Sequence, residues 1–204
     1  MVRIYTLGPA RSCHHHASLK YLEFQRIEAR DIILVDDLVT AAGEAADRGD
    51  SYVLQCSAHL NVHLVTEKFR DRLQVVDTFI LPTQSIAVVR RKDVKEPRTL
   101  GLPEPTMGYI DPKAWNKLIF ETTKPIVEKK LLEGVYDAGV AYSRSVLEHP
   151  DKLEIVQEIG EVVTTWLLYG PRPRYSGTII ASPYPELHML LPGNASQRHV
   201  PAPS

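Results

Sequence analysis

The apolar and polar positions of the first seventy or so residues repeat one figure. An apolar run from Val2 to Leu7 stops at Gly8-Pro9 and passes through small polar residues into a segment where Leu19, Leu22, Phe24, Ile27 and Ala29 recur at roughly helical spacing. That is the signature of a strand feeding a helix. Asp31 to Val35 reads as a second buried strand, and Asp36-Asp37 can cap a helix over Leu38 to Asp47 that ends at Gly49. Ser51 to Gln55 is a third strand, running through Cys56-Ser57-Ala58-His59 into a helix from Leu60 to Phe69. Strand and helix in alternation predict a parallel sheet covered on both faces, whose strand ends aim their loops at one crevice.

After Arg70 the rhythm changes. Leu73 to Leu81 and Gln84 to Arg91 are β-rich runs separated by Pro82-Thr83, Arg90 to Arg98 is charged and solvated, and Thr99 to Leu102 reads as another strand. Pro103 to Gly108 is a turn able to start a helix. Asp111-Pro112 opens a further predicted helix carrying Ala114, Trp115, Leu118 and Ile119, and Thr122-Thr123-Lys124-Pro125 opens another through Leu132, closed by Gly134. Asp137 to Tyr142, Ile155 to Ile159 and Val162 to Tyr169 complete the strands. The pattern predicts a two-lobed α/β protein with two strands crossing between lobes, near Leu81 to Ser85 and Gly160 to Thr164. A first lobe takes residues 1–82 and 163–194, a second 83–162, and a Pro-rich tail ends in disorder over 195–204. The ligand is expected between the lobes.

Composition narrows the class of ligand. The chain has 204 residues, 44% hydrophobic and 24% charged, with 24 Lys and Arg against 25 Asp and Glu. A formal charge of −1 provides no field for nucleic acid or an anionic membrane, so a small, locally recognised partner is expected. No apolar run approaches the roughly 18–20 residues of a bilayer span, and the expected location is the cytoplasm. Cys13 and Cys56 would be reduced thiols there, with no spacing that suggests a disulfide or zinc site.

Candidate chemistry sits at the strand ends. Ser12 and Cys13 with His14 begin one helix, Ser57 to His59 begin another, and Thr106-Met107 lie at a third, each a start where free backbone N–H groups can meet a carboxylate. Three consecutive histidines on a helix point about 100° apart and cannot all ligate one ion, so no metal is assigned. One of His14 or His15 facing the crevice as donor or proton source stands against a solvated helix start. Cys56 is either a nucleophile beside His59 or a small side chain packed beneath its loop. Thr164 and Thr165 fit a strand by β-propensity alone, and Trp166 fits a core.

Leu7-Gly8-Pro9 with Ser12 and the His-His-His-Ala segment resembles the opening of prephenate dehydratases, Leu-Gly-Pro-Glu-Gly-Thr-Phe-Ser before a helix. The resemblance continues in order through Glu133-Gly134, Asp137 to Ala141, and Thr164-Thr165-Trp166-Leu167-Leu168-Tyr169-Gly170, where that family carries Thr-Arg-Phe-Leu-Val-Ile-Gly. It spans about Met1 to Gly170 and implies two lobes like those of type 2 periplasmic binding proteins, without the regulatory ACT domain. Departures fall in the active-site loops. Ala10-Arg11 stand for Glu-Gly, Cys56 to His59 replace Pro-Ile-Glu-Asn-Ser, and Thr165 replaces the Arg of Thr-Arg-Phe.

A nearer resemblance is to the non-aromatising prephenate decarboxylases of bacilysin-type antibiotic pathways, which carry Ser-Trp where this chain has Thr165-Trp166 and a Ser-Pro loop where it has Glu104 to Met107. The resemblance implies a lyase that needs no cofactor and acts on prephenate or a related cyclic carboxylic acid, with decarboxylation preferred over dehydration. Thr164 matches the hydroxyl that protonates the leaving group. Thr164, His14 and His15 are the catalytic candidates. Ser12, Cys13, Cys56, Ser57, His59, Thr106, Met107, Thr165 and Trp166 are the substrate-binding ones. The rival is a binding module that kept the fold and lost catalysis, or an enzyme with another small carboxylate substrate. A homodimer is left open.

Overall fold

The computed structural model describes residues 3–28, 31–177 and 179–181. The expectations for residues 182–204 lie outside these. Tyr175–Ser204 separates as a unit of its own, and its described residues form neither helix nor strand.

Residues up to Arg174 build two five-stranded mixed sheets. In the first, β1 (Arg3–Leu7) is flanked in parallel by β2 (Ile32–Val35) and β3 (Ser51–Cys56). The connections are the helices α1 (Cys13–Phe24) and α2 (Leu38–Arg48), and α3 (Val62–Phe69) leads on to β4 (Gln74–Pro82). The chain then crosses to the second sheet as β5 (Ile86–Arg91) and continues through β6 (Thr99–Pro103), β7 (Lys117–Glu121), α4 (Lys124–Leu132), β8 (Ala138–Tyr142), α5 (Arg144–Glu148) and β9 (Leu153–Gly160). It returns as β10 (Val163–Gly170), which inserts antiparallel between β3 and β4. The strand orders are β2-β1-β3-β10-β4 and β7-β6-β8-β5-β9. Each sheet therefore has a parallel group next to one antiparallel strand that arrives through a crossing. The two crossings touch: the Thr83 N–H donates to the Val162 carbonyl at 2.9 Å, and the Val162 N–H to Thr83 Oγ1 at 3.1 Å.

Local chemistry explains most of the elements. Asp37 caps α2, accepting from the Val39 N–H at 2.9 Å, and Gly49 ends that helix at φ +65, a conformation glycine adopts without steric cost. Gly101 and Gly139 lie side by side on β6 and β8 beneath the buried Tyr136 ring, where a side chain on Gly101 would come within 2.2 Å of that ring. The sheets bury their faces in four clusters. The one holding Ile4, Ala17, Leu54 and Trp166 also takes in Ile86 and Tyr142 from the second sheet, so apolar packing is continuous between lobes. No helix among the described residues is long and apolar enough to cross a membrane.

Two expectations are corrected. The helix proposed from Asp111 is only one 3-10 turn, Pro112–Ala114. Asp111 caps it as expected, but Leu118 and Ile119 belong to β7, paired with Leu100 and Gly101. Ala114, Trp115, Leu118 and Ile119 satisfy a helical period, but the Lys-Leu-Ile-Phe-Glu run gains more from pairing with β6 than from an isolated turn. On α1 the buried stripe is Cys13, Ala17, Ser18, Tyr21 and Leu22, whereas Leu19 and Phe24 are exposed, Phe24 at 81%. Small residues let the helix lie close to the sheet, a preference that a search for large apolar residues misses.

Candidate functional site

The C-terminal ends of β1, β3, β6, β7 and β8 and the two crossings surround a cavity of about 240 Å³ between the lobes. Its walls include Leu7, Ile86, Pro103, Pro105, Val162 and Trp166. Ser12, Cys13, His14, Cys56, His59, Thr106, Tyr142 and Thr164 supply polar groups, and Thr122, Thr123 and Lys124 come from the start of α4.

The start of α1 is already occupied. Ser12 Oγ accepts from the His15 N–H at 3.2 Å and donates to the Leu7 carbonyl at 3.0 Å. The Cys13 N–H donates to Tyr142 Oη at 2.8 Å, and that hydroxyl donates to Cys13 Sγ at 3.3 Å. The second lobe thus inserts a phenol where an anion was expected. The Arg144 guanidinium stacks 4.2 Å from the centre of the Tyr142 ring and donates to the Arg11 carbonyl at 3.1 Å, and Arg11 in turn pairs with Glu148. Burial, followed by the neighbouring Cys13, drives the Tyr142 hydroxyl well above the usual phenol range, so it stays protonated.

His14 lies behind this contact. Its Nε2 accepts from the Cys56 N–H at 3.3 Å, which places the ring proton on Nδ1, and its ring stands edge-on to Trp166 at 5.2 Å and to His59 at 6.0 Å. Burial, then the neighbouring His59 and Lys124, push its imidazole down to about 3. Burial also lowers His59. Both rings are neutral near pH 7. Cys56 Sγ lies 3.6 Å from Thr164 Oγ1, a thiol and a hydroxyl side by side on neighbouring strands of one wall. The Trp166 indole N–H donates to the Leu81 carbonyl at 3.0 Å, which fixes the ring beneath them.

Four residues expected at the site lie off this cavity. His15 Nδ1 accepts from the Arg11 N–H at 3.1 Å and closes the turn before α1. Thr165 alternates to the opposite face of β10 from Thr164 and Trp166, as the period of two requires, and its carbonyl accepts from the Ser57 N–H at 2.9 Å. Ser57 itself is exposed, and Met107 packs against the core of the second lobe. Thr106 lines the cavity, but its hydroxyl donates to the Pro103 carbonyl at 2.6 Å.

By sequence alone Thr122-Thr123-Lys124 is a helix start and nothing more. Lys124 is the one Lys or Arg among the described residues that line the cavity, its ammonium 5.8 Å from the Tyr142 ring centre. Thr123 Oγ1 is buried without a partner among the described residues, and α4 has no side-chain cap. An ammonium and a helix N-terminus at one edge of the cavity, beside a hydroxyl with no internal partner, are the chemistry that suits an anion. The signal was present in the sequence: strand, Thr-Thr, then a Pro-containing helix start, the same figure as at β1.

No family model matches the chain, and no curated protein matches it. Solved structures do. The prephenate dehydratase of Arthrobacter aurescens in complex with L-Phe superposes with a TM-score of 0.57 at 14% identity, over 88% of this chain and 62% of that one. The prephenate dehydratase of Staphylococcus aureus gives 0.59 at 12% identity, over 85% and 68%. The two-lobed architecture is theirs. The periplasmic VFT2 domain of Bordetella pertussis BvgS shares it as well, with a TM-score of 0.51 at 15% identity over 83% of this chain and 80% of that domain. The chain thus spans less than two thirds of the length of the first dehydratase, and its fold is common to prephenate dehydratases and a periplasmic VFT2 domain.

Proposed function

We propose that this protein is a cofactor-independent lyase acting on prephenate or a related cyclic carboxylic acid, with loss of carbon dioxide preferred over aromatisation. The observation that carries this reading is the charge pattern of the cavity. One anion anchor, Lys124 with Thr123 at the start of α4, faces walls that are otherwise apolar or neutral.

Prephenate has one carboxylate on its ring and one on its pyruvyl arm. With the arm held at Lys124, the ring carboxylate rests against apolar walls with no cation to offset its desolvation. Its departure as carbon dioxide takes the charge off the apolar wall and passes it, with the electron pair of the breaking carbon–carbon bond, through the ring double bond. The ring carbon at the far end takes up a proton. Thr164 Oγ1 supplies that proton and takes one from the Cys56 thiol at 3.6 Å, so the charge ends on a Cys56 thiolate until solvent restores its proton. His14, neutral and already accepting from the Cys56 N–H, orients this wall and is no acid at neutral pH. Dehydration would instead need a proton aimed at the ring hydroxyl.

The test is to incubate the protein with prephenate and follow ultraviolet absorbance and product mass. A non-aromatic diene that retains the hydroxyl supports the proposal, and phenylpyruvate turns it to dehydration. Prephenate that stabilises the protein to heat but is recovered unchanged makes the protein a binding module. Thr164→Val is expected to cut turnover by about tenfold or more with the fold intact, since positioned proton transfer contributes on the order of a hundredfold. Unchanged kinetics remove Thr164 from the mechanism.

A further inference from the structure

Two donors on the cavity wall lie outside the proton path. His14, in the first turn of α1, and His59, in the loop after β3, reach the cavity from the ends of neighbouring parallel strands. Each ring is held by one nitrogen. His14 Nε2 accepts from the Cys56 N–H at 3.3 Å, and His59 Nδ1 accepts from the Asn61 N–H at 3.3 Å. The His59 backbone is fixed as well, its N–H donating to the Cys56 carbonyl at 3.1 Å. A neutral imidazole carries one ring proton, so these bonds put it on Nδ1 of His14 and on Nε2 of His59. Neither N–H has an acceptor among the described residues. The rings meet edge to face, 88° apart, with centroids at 6.0 Å. One oxygen at about 2.9 Å from each nitrogen spans donors up to about 5–6 Å apart, so a single ligand oxygen between these rings can take both.

The neighbours say which oxygen. Cys56 joins His14 to Thr164: its N–H donates to His14 Nε2, and its Sγ lies 3.6 Å from Thr164 Oγ1. In the reaction proposed above, the ring carbon that takes the proton from Thr164 is bonded to the carbon that bears the ring hydroxyl. A ring seated with the first carbon on Thr164 brings its hydroxyl to the His14 side of the cavity.

We propose that His14 and His59 clamp the ring hydroxyl, both N–H groups donating to its oxygen, and that this clamp decides which group the substrate loses. The inference rests on the lyase reading and assigns the residues that keep the hydroxyl in place. Loss of the hydroxyl as water needs a proton on its oxygen. Burial holds both imidazoles below their ordinary range, so they donate hydrogen bonds without giving up a proton, and unprotonated hydroxide is a poor leaving group. The clamp also sets the neighbouring carbon against Thr164, so one contact serves retention and positioning.

Two unreactive probes test this on the intact chain by calorimetry: cyclohexylpropanoate and its 4-hydroxy analogue, with cis and trans isomers measured separately. The better isomer is expected to bind about tenfold or more tightly than the parent, the size of two neutral hydrogen bonds. His14→Leu and His59→Leu should each shrink that ratio, and circular dichroism separates a lost contact from a lost fold. Histidine nitrogen NMR of the unaltered chain reads the same contact without a substitution. His14 Nδ1 and His59 Nε2 should both carry the proton, and both should shift more with the hydroxy probe than with the parent. A hydroxyl that adds nothing, a ratio that survives either variant, or the other tautomer on either ring overturns the clamp. If prephenate then still gives the non-aromatic diene, the lyase reading stands without it. If neither probe binds, the clamp fails, and the fate of prephenate alone decides the reading.

Discussion

His14 gives the sharpest test of the electrostatics on which the reading of the cleft depends. Its folded-state pKa is pushed down from 6.5 to about 3. In the unfolded chain the imidazole takes up its proton near 6.5, so between these values the unfolded state binds more protons and stability falls as pH falls. The contribution is fully present above about pH 6.5. At pH 5 the group should have cost about 2 kcal/mol, from roughly 1.4 kcal/mol for each pH unit below 6.5. His14→Gln removes the titration and keeps an acceptor for the Cys56 N–H, since a glutamine amide oxygen can lie where Nε2 does. Urea unfolding of both proteins from about pH 7.5 to pH 5 should give a wild-type-minus-variant difference that declines with that slope, other titrating groups cancelling. A flat difference would mean that His14 ionises freely in the folded state. It would then be available as an acid near neutrality, and the assignment of the proton to Thr164 and Cys56 would lose its main support.

Two other substitutions probe the frame around the cleft. Tyr142→Phe strands the Cys13 N–H without an acceptor in a buried position, at a cost of about 1–3 kcal/mol. It should also speed hydrogen exchange at the Cys13 amide, and unaltered exchange there would show that the contact between lobes is not held by the phenol. Gly101→Ala drives a methyl group to within 2.2 Å of the Tyr136 ring and should destabilise by about 1–3 kcal/mol, whereas Gly108→Ala, with nothing within 4 Å, should be neutral. Equal melting temperatures for the two variants would refute the close packing assigned to Tyr136.

The lobes, their strands and the two crossings were legible because each rests on local contrasts: apolar runs against Gly-Pro, Asp-Asp and Pro-Thr breaks. What local contrasts lack is the identity of the facing surface. Ala17 and Ser18 carry little hydrophobicity, yet they are fully buried because β1 and β3 approach α1 closely. Leu118 and Ile119 fit a helix until β6 is there to pair with them. Thr164, Cys56 and His14 come together on the cavity wall because they stand at strand ends or at a helix start. Thr165 and Ser57 were carried along as sequence neighbours, and the strand period sends them elsewhere.

The same logic explains why the anion site moved from one lobe to the other. Both Leu7 to Cys13 and Glu121 to Lys124 pass from a parallel strand into a helix that opens on the crevice, and by sequence the first, richer in Ser and His, is the stronger candidate. Helix starts in facing lobes compete for what lies between them. Tyr142, at the end of β8, spends its hydroxyl on the Cys13 N–H, and Ser12 spends its own on the His15 N–H and the Leu7 carbonyl. At α4 nothing from the first lobe does the equivalent: Thr123 keeps a free hydroxyl and Lys124 a charge with no carboxylate partner among the described residues. The lobe-to-lobe contact that closes the cleft at α1 therefore leaves α4 as the helix start open to a ligand. Tyr142→Phe combined with Lys124→Met should accordingly move weak carboxylate binding toward Cys13 and not simply abolish it, and chemical shifts of the residue 13 amide on adding cyclohexylpropanoate would report the move. If that amide stays silent in the double variant, α1 is closed to anions for a reason other than the phenol.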